Sequence, residues 1–163
     1  MFALKSVAAG SKAELYSELH VQARALLKGE RDPGANAANI AALVFHTLPD
    51  LNWAGFYWRR KDELVLGPFQ GKPACVRIAI GKGVCGTAAR DKRTVVVPDV
   101  ERFAGHIACD SASRSEIVVP VMRTIDVLGV LDLDSPTLGR FDADDAAGLE
   151  ELVSLLILAT DFD

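Results

Sequence analysis

Two β-branched, apolar runs near the C-terminal end constrain this chain more than anything else in it. They are Glu116–Met122 and Val127–Leu133, joined by a turn near Thr124–Asp126. Parallel neighbours need a crossover of a dozen or more residues, so two strands joined this closely pair antiparallel. Any fold for the chain must be built around that hairpin.

The remaining elements follow from periodicity. Residues 11–28 place Leu15, Leu19, Ala23, Leu26 and Leu27 at helical spacing, with Ser11 and Glu14 forming a capping-box pattern and Gly29 as the stop. Residues 35–48 are alanine-rich and predict a second helix ending before Pro49. In 52–60, Trp53, Gly55 and Tyr57 alternate with Ala54, Phe56 and Trp58, as in a strand. Lys61-Asp62 reads as a hairpin turn into a second strand, Glu63–Gly67, and 76–80 as a third. A short helix over 84–90 is entered through Gly81 and Gly83; Val95–Val97 is a short strand; 99–114 is a loop. Residues 142–160 return to helical spacing with Leu149, Leu152, Val153 and Leu156. Strand runs flanked by helices predict an α+β fold with a central antiparallel sheet. The terminal helices pack on one face, and the cysteine-bearing loops and short helix on the other. At 163 residues, with no linker or repeat, residues 1–163 read as a single domain.

A formal net charge of −4 argues against nucleic acid as a partner. No apolar run has the length to span a bilayer, and the first ten residues lack the basic-then-apolar order of a signal peptide, so the chain is expected to be cytoplasmic.

The chemistry is carried by cysteines. Cys75, Cys85 and Cys109 are the chain's three, all within 35 residues and all in polar, glycine-containing segments. In a reducing compartment, thiols so placed point to redox catalysis rather than a structural disulfide framework. Two other readings stand beside it. The cysteines could fill core contacts. Cys75, Cys85, His106 and Cys109 also count to four zinc ligands, although no pair has the close spacing of a structural site. In the redox reading a thiolate attacks an electrophilic sulfur and becomes a sulfenic acid. A second thiol closes it to a disulfide, and an external dithiol resets the pair. No metal and no cofactor is needed. An acid for the departing oxygen is at hand in Glu116, Asp132 and Asp134, each out of place in an apolar strand. Alternation puts Asp132 and Asp134 on one face, suited to hold an ammonium group or a proton. Trp53 and Tyr57 share a face and are either core packing or the wall of a small apolar slot.

Several segments resemble the free methionine-(R)-sulfoxide reductases, which are GAF-domain enzymes. They are Asn52-Trp-Ala-Gly-Phe-Tyr57, Leu66-Gly-Pro-Phe-Gln-Gly-Lys-Pro-Ala-Cys75-Val-Arg-Ile78, Gly81-Lys-Gly-Val-Cys85-Gly-Thr87, Gly105-His-Ile-Ala-Cys109-Asp-Ser-Ala-Ser-Arg-Ser-Glu116, and Gly129-Val-Leu-Asp-Leu-Asp-Ser135. The resemblance runs from about residue 50 to 145. It implies a GAF-like fold and reduction of free L-methionine-(R)-S-oxide to methionine, with thioredoxin as the electron donor and a homodimer as the assembly. It further implies Cys109 as nucleophile, Cys75 as resolving cysteine and Cys85 as a third site thiol. Glu116, Asp132 and Asp134 are similar to the residues that bind the substrate and protonate its oxygen, and Trp53 and Tyr57 to the wall around the methyl sulfoxide. The competing function is a regulatory GAF module that binds a ligand without chemistry.

Overall fold

The computed structural model describes residues 2–4, 10–107 and 110–162. Their order is α1 (Lys12–Leu27), α2 (Pro33–Thr47), β1 (Trp53–Arg60), β2 (Glu63–Gly71), β3 (Arg77–Ala79), α3 (Gly83–Asp91), β4 (Val95–Val97), β5 (Ser115–Arg123), β6 (Asp126–Ser135) and α4 (Ala143–Ala159). A single 3₁₀ turn, Val100–Arg102, interrupts the long loop after β4. The strands form one sheet in the order β3-β2-β1-β6-β5-β4. Every ladder is antiparallel. The β5–β6 hairpin that the sequence demands lies inside the sheet, between β1 and β4.

The helix ends follow their caps. Ser11 Oγ accepts from the Glu14 amide at 3.2 Å, while the Glu14 carboxylate turns to the Gly10 amide, so the predicted capping box is half formed. The complete box lies on α4: Asp142 takes the Asp145 amide and Asp145 takes the Asp142 amide. Asp32 caps α2, whose first residue is Pro33, a position where the missing N–H costs nothing.

The second strand runs four residues beyond the predicted Gly67, to Gly71. Gly67-Pro68 reads as a strand end because proline cannot donate to a ladder. It is instead a bulge: Gly55 pairs with Phe69 and Tyr57 with Leu66, leaving one extra residue on β2. The strand then resumes and carries Phe69 to the pocket side.

Each face of the sheet has its own core. On one, α1, α2 and α4 bury Leu19, Ile40, Leu149 and Leu152 against Phe56, Ile117, Leu131 and Leu133. Each such side chain stabilises the fold by about 1.5–3 kcal/mol. This layer is tied by Asp145, which is fully buried. Its carboxylate accepts from Tyr16 Oη at 2.8 Å, Lys12 Nζ at 2.6 Å and Arg140 Nη1 at 3.1 Å. On the other face, α3 packs Val84, Cys85 and Ala88 against Trp53, Tyr57, Val118 and Val130. The alternation read from β1 therefore holds, with Trp53 and Tyr57 facing α3 and Ala54 and Phe56 facing the terminal helices. Among the described residues no helix is long and apolar enough to cross a membrane.

Candidate active site

The pocket lies on the α3 face, and the sheet register assembles its acidic floor. Glu116 on β5 stands directly across from Asp134 on β6, and Val118 across from Asp132. Side chains two apart on one strand share a face, so Glu116, Asp132 and Asp134 converge. Glu116 and Asp132 are buried. Burial pushes all three carboxyls well above the usual carboxylate range. The Asp134 charge adds to the effect on Glu116, Glu116 to that on Asp132, and Asp132 to that on Asp134. Asp132 Oδ1 is buried without a hydrogen-bond partner among the described residues.

Cys85, in the first turn of α3, closes over this floor. Its Sγ and the nearest oxygens of Glu116 and Asp132 all lie within 4.8 Å of one another. Burial, with the neighbouring Asp132 and Glu116 carboxylates, raises the Cys85 thiol well above its ordinary value. A glycine-rich helix start beside lysine predicts a favoured thiolate, but the side chain points into the carboxyl cluster, and Cys85 is held as the thiol.

An aromatic wall forms the opposite side. Trp53 stacks on Phe69 at 5.4 Å and on Tyr57 at 5.8 Å between ring centroids. The polar ends of Trp53 and Tyr57 are used: Trp53 Nε1 donates to the Lys72 carbonyl and Tyr57 Oη to the Cys75 carbonyl, both at 3.1 Å. Two side-chain bonds thus fix the 72–75 segment, and with it Cys75, to the sheet.

The loop after β4 makes the third side. Asn52 Nδ2 donates to Ser113 Oγ at 3.0 Å and to Asp110 Oδ2 at 3.3 Å. Asp110 also accepts from the Ala112 amide and from Lys72 across the mouth, which together hold its carboxyl below the usual range. His106 Nε2 lies 3.3 Å from Glu116 Oε2. Ile107 rests on the start of α3, where a Cβ at Gly83 would come within 3.2 Å of it; Gly83 also has φ +59°. The pocket so enclosed has about 510 Å³ of space, counting its mouth.

Residues 35–161 match the GAF domain family. The chain is 51% identical over 152 residues to the free methionine-R-sulfoxide reductase of Escherichia coli (strain K12), covering 92% of each chain. It is 44% identical over 154 residues to the enzyme of that name from Saccharomyces cerevisiae, covering 90% of this chain and 86% of the yeast protein. The chain belongs to the GAF-domain free methionine-R-sulfoxide reductase family. Among solved structures, the Neisseria meningitidis free methionine-R-sulfoxide reductase in complex with its substrate superposes with a TM-score of 0.93 at 46% identity. That match covers 98% of this chain and 95% of the other.

Of the site residues predicted from sequence, the reductase-like pocket brings together Trp53, Tyr57, Cys85, Glu116, Asp132 and Asp134 as lining. Cys75 is part of the adjoining segment and packs against the α3-side core, and both Cys75 and Cys85 are free thiols. Cys109 lies outside the described residues. Sequence reasoning gave no site role to Asn52, Lys72, Asp110 or Ser113, and met His106 only as a zinc ligand. Their signal is weak because each is a polar residue in a loop, where solvation is the ordinary explanation.

Proposed function

We propose that this chain reduces free L-methionine-(R)-sulfoxide to methionine, with Cys109 as nucleophile, Cys75 as resolving thiol and thioredoxin as reductant. The observation that carries the reading is the convergence of three buried carboxyls and a thiol opposite an aromatic wall. A substrate with an ammonium group at one end and a methyl sulfoxide at the other matches both sides. The two described residues that flank the 108–109 segment, Ile107 and Asp110, line the same pocket.

In this reading the ammonium pairs with Asp132 and Asp134. The methyl sulfoxide lies against Trp53 and Tyr57. The Cys109 thiolate attacks the sulfoxide sulfur, and Glu116 delivers a proton to the oxygen. Oxygen passes to Cys109 as a sulfenic acid and methionine leaves as the thioether. The Cys75 thiol then displaces the hydroxyl as water, forming a disulfide. Thioredoxin returns both thiols by exchange. Cys85 serves as a third thiol, contacting the substrate or forming a substitute disulfide. The enzyme works in the cytoplasm as a homodimer.

The test is turnover of racemic free methionine sulfoxide with thioredoxin recycling. Consumption should stop at about half of the substrate, because one sulfoxide epimer fits. Without reductant, two free thiols should disappear per methionine formed. A ligand-binding GAF module would consume no substrate and lose no thiols.

A further inference from the structure

Glu116 is buried among other acidic groups. Asp132 and Asp134 face it from β6, and Cys85 faces it from α3. All are pushed toward their neutral forms. From the loop after β4 comes His106. Its side chain keeps 15% of its surface exposed, against 7% for Glu116, with Nε2 3.3 Å from Glu116 Oε2. The imidazole therefore stands between a buried carboxyl and the outside.

We propose that His106 is a positioning residue for Glu116. Its ring fixes the carboxyl in the pocket and is the path by which the Glu116 proton is exchanged. The inference rests on the reading above, in which Glu116 protonates the sulfoxide oxygen.

The backbone holds the ring in place. The His106 amide donates to the Phe103 carbonyl at 3.1 Å, and the next residue, Ile107, is pinned on the start of α3. An imidazole is the one side chain whose ordinary titration falls between about pH 5 and 8, so it can both take and return a proton under working conditions. Burial lowers the His106 pKa, leaving the ring neutral, with one nitrogen donating and the other accepting. The balance closes within one turnover. Cys109 loses its thiol proton, the sulfoxide S–O bond breaks as an S–O bond forms on Cys109, and Glu116 gives a proton to that oxygen. The thiol proton of Cys109 leaves to solvent, and Glu116 is reprotonated from solvent through His106. The net change is thiol plus sulfoxide to sulfenic acid plus thioether, with Cys109 sulfur oxidised and methionine sulfur reduced.

The experiment follows the single burst of methionine formed without reductant, in the parent, His106→Gln and His106→Ala. Affinity for the product methionine and thermal stability are measured on the same proteins. Glutamine keeps an N–H for Glu116 but cannot exchange a proton. His106→Gln should slow the burst by about a hundredfold, a loss typical of general acid–base groups, and flatten its pH profile. Its methionine affinity should stay within about twofold of the parent, too small a change to register as a lost hydrogen bond. Added imidazole should restore His106→Ala, and pyrazole, which has the same shape but does not titrate in this range, should not. A His106→Gln burst at the parent rate would overturn the role. So would parallel losses of rate, affinity and stability, or equal rescue by pyrazole. If the parent itself gives no burst, the enzyme reading fails and the role of His106 falls with it.

Discussion

The indole of Trp53 lies over the bare Cα of Gly55. A Cβ at Gly55 would come within 2.7 Å of Trp53 Cη2 and would also strike the Phe69 side chain. Gly55 pairs with Asp132 in the β1–β6 ladder. Without a side chain of its own, it lets the aromatic wall stand directly beside the acidic floor.

Gly55→Ala should therefore damage the pocket without destroying the sheet. Overpacking of this kind costs about 1–3 kcal/mol. Displacing Trp53 should raise KM several-fold more than it lowers kcat. Steady-state kinetics on free methionine sulfoxide, with a denaturant titration alongside, would separate the two effects. Unchanged kinetics would mean that Trp53 is not a substrate contact.

Tyr57→Phe retains the ring and removes the hydroxyl bond to the Cys75 carbonyl. The first burst of methionine should run near the parent rate, whereas closure of the Cys75–Cys109 disulfide should slow. A dimedone-trapped sulfenic acid, measured by mass spectrometry, should accumulate in the variant. Equal trapping in parent and variant would show that the hydroxyl does not position Cys75.

The buried carboxyls set a pH dependence of definite sign. Asp132 has its folded pKa raised, first by burial and then by Glu116. A raised carboxyl leaves the fold unpenalised below the unfolded value, near 4. The penalty grows as pH rises from there toward the folded value. Asp132→Asn should thus be more stable than the parent at neutral pH. The difference should vanish below about pH 4, where both side chains are neutral. The same variant should bind the free amino acid more weakly. Thermal melts across the pH range decide the matter; a parent that is more stable at pH 7 would contradict it.

Recognition of the ammonium group predicts specificity. An N-acetylated substrate presents an uncharged amide to Asp132 and Asp134. The lost charge-assisted bond costs about 1.5–3 kcal/mol, one to two powers of ten in binding. The comparison is kcat/KM for free and N-acetyl methionine-(R)-sulfoxide. Equal values would remove the carboxyls from ammonium recognition.

Asp145, on the other side of the sheet, should behave in the opposite way. Asp145→Ala strands Lys12, Tyr16 and Arg140 around a lost anion. Breaking a buried pair in this manner costs about 3–5 kcal/mol. Below the lowered melting temperature, kcat/KM per folded molecule should match the parent.

Local physics explains which of these features the sequence carries. The ends of α1 are written in Ser11 and Gly29, and the facing of Trp53, Tyr57, Asp132 and Asp134 in a period of two. Facing is not register. That Glu116 stands opposite Asp134 depends on how the β5–β6 hairpin turns, and a slip of one residue would carry Glu116 to the other face. The bulge at Gly67-Pro68 is hidden for a related reason, since a proline that ends one strand also marks an irregularity within a longer one. Least legible are contacts between distant loops. Nothing near Asn52 in the chain announces Ser113, and nothing near His106 announces Glu116. The protonated state of Cys85 was likewise out of reach, because it is set by carboxyls on another element.

The sheet is in effect a partition between two unlike interiors. One side is a hydrocarbon layer knit by three helices and the Asp145 hub; the other holds mutually repelling acids whose burial works against folding. Because alternate residues of the same strands serve the two sides, a substitution on one face leaves its neighbour's environment almost untouched. Such a chain can explore new ligands by drift on the acidic side while the helical side keeps it folded. Its chemistry and its persistence are therefore inherited as nearly separate traits.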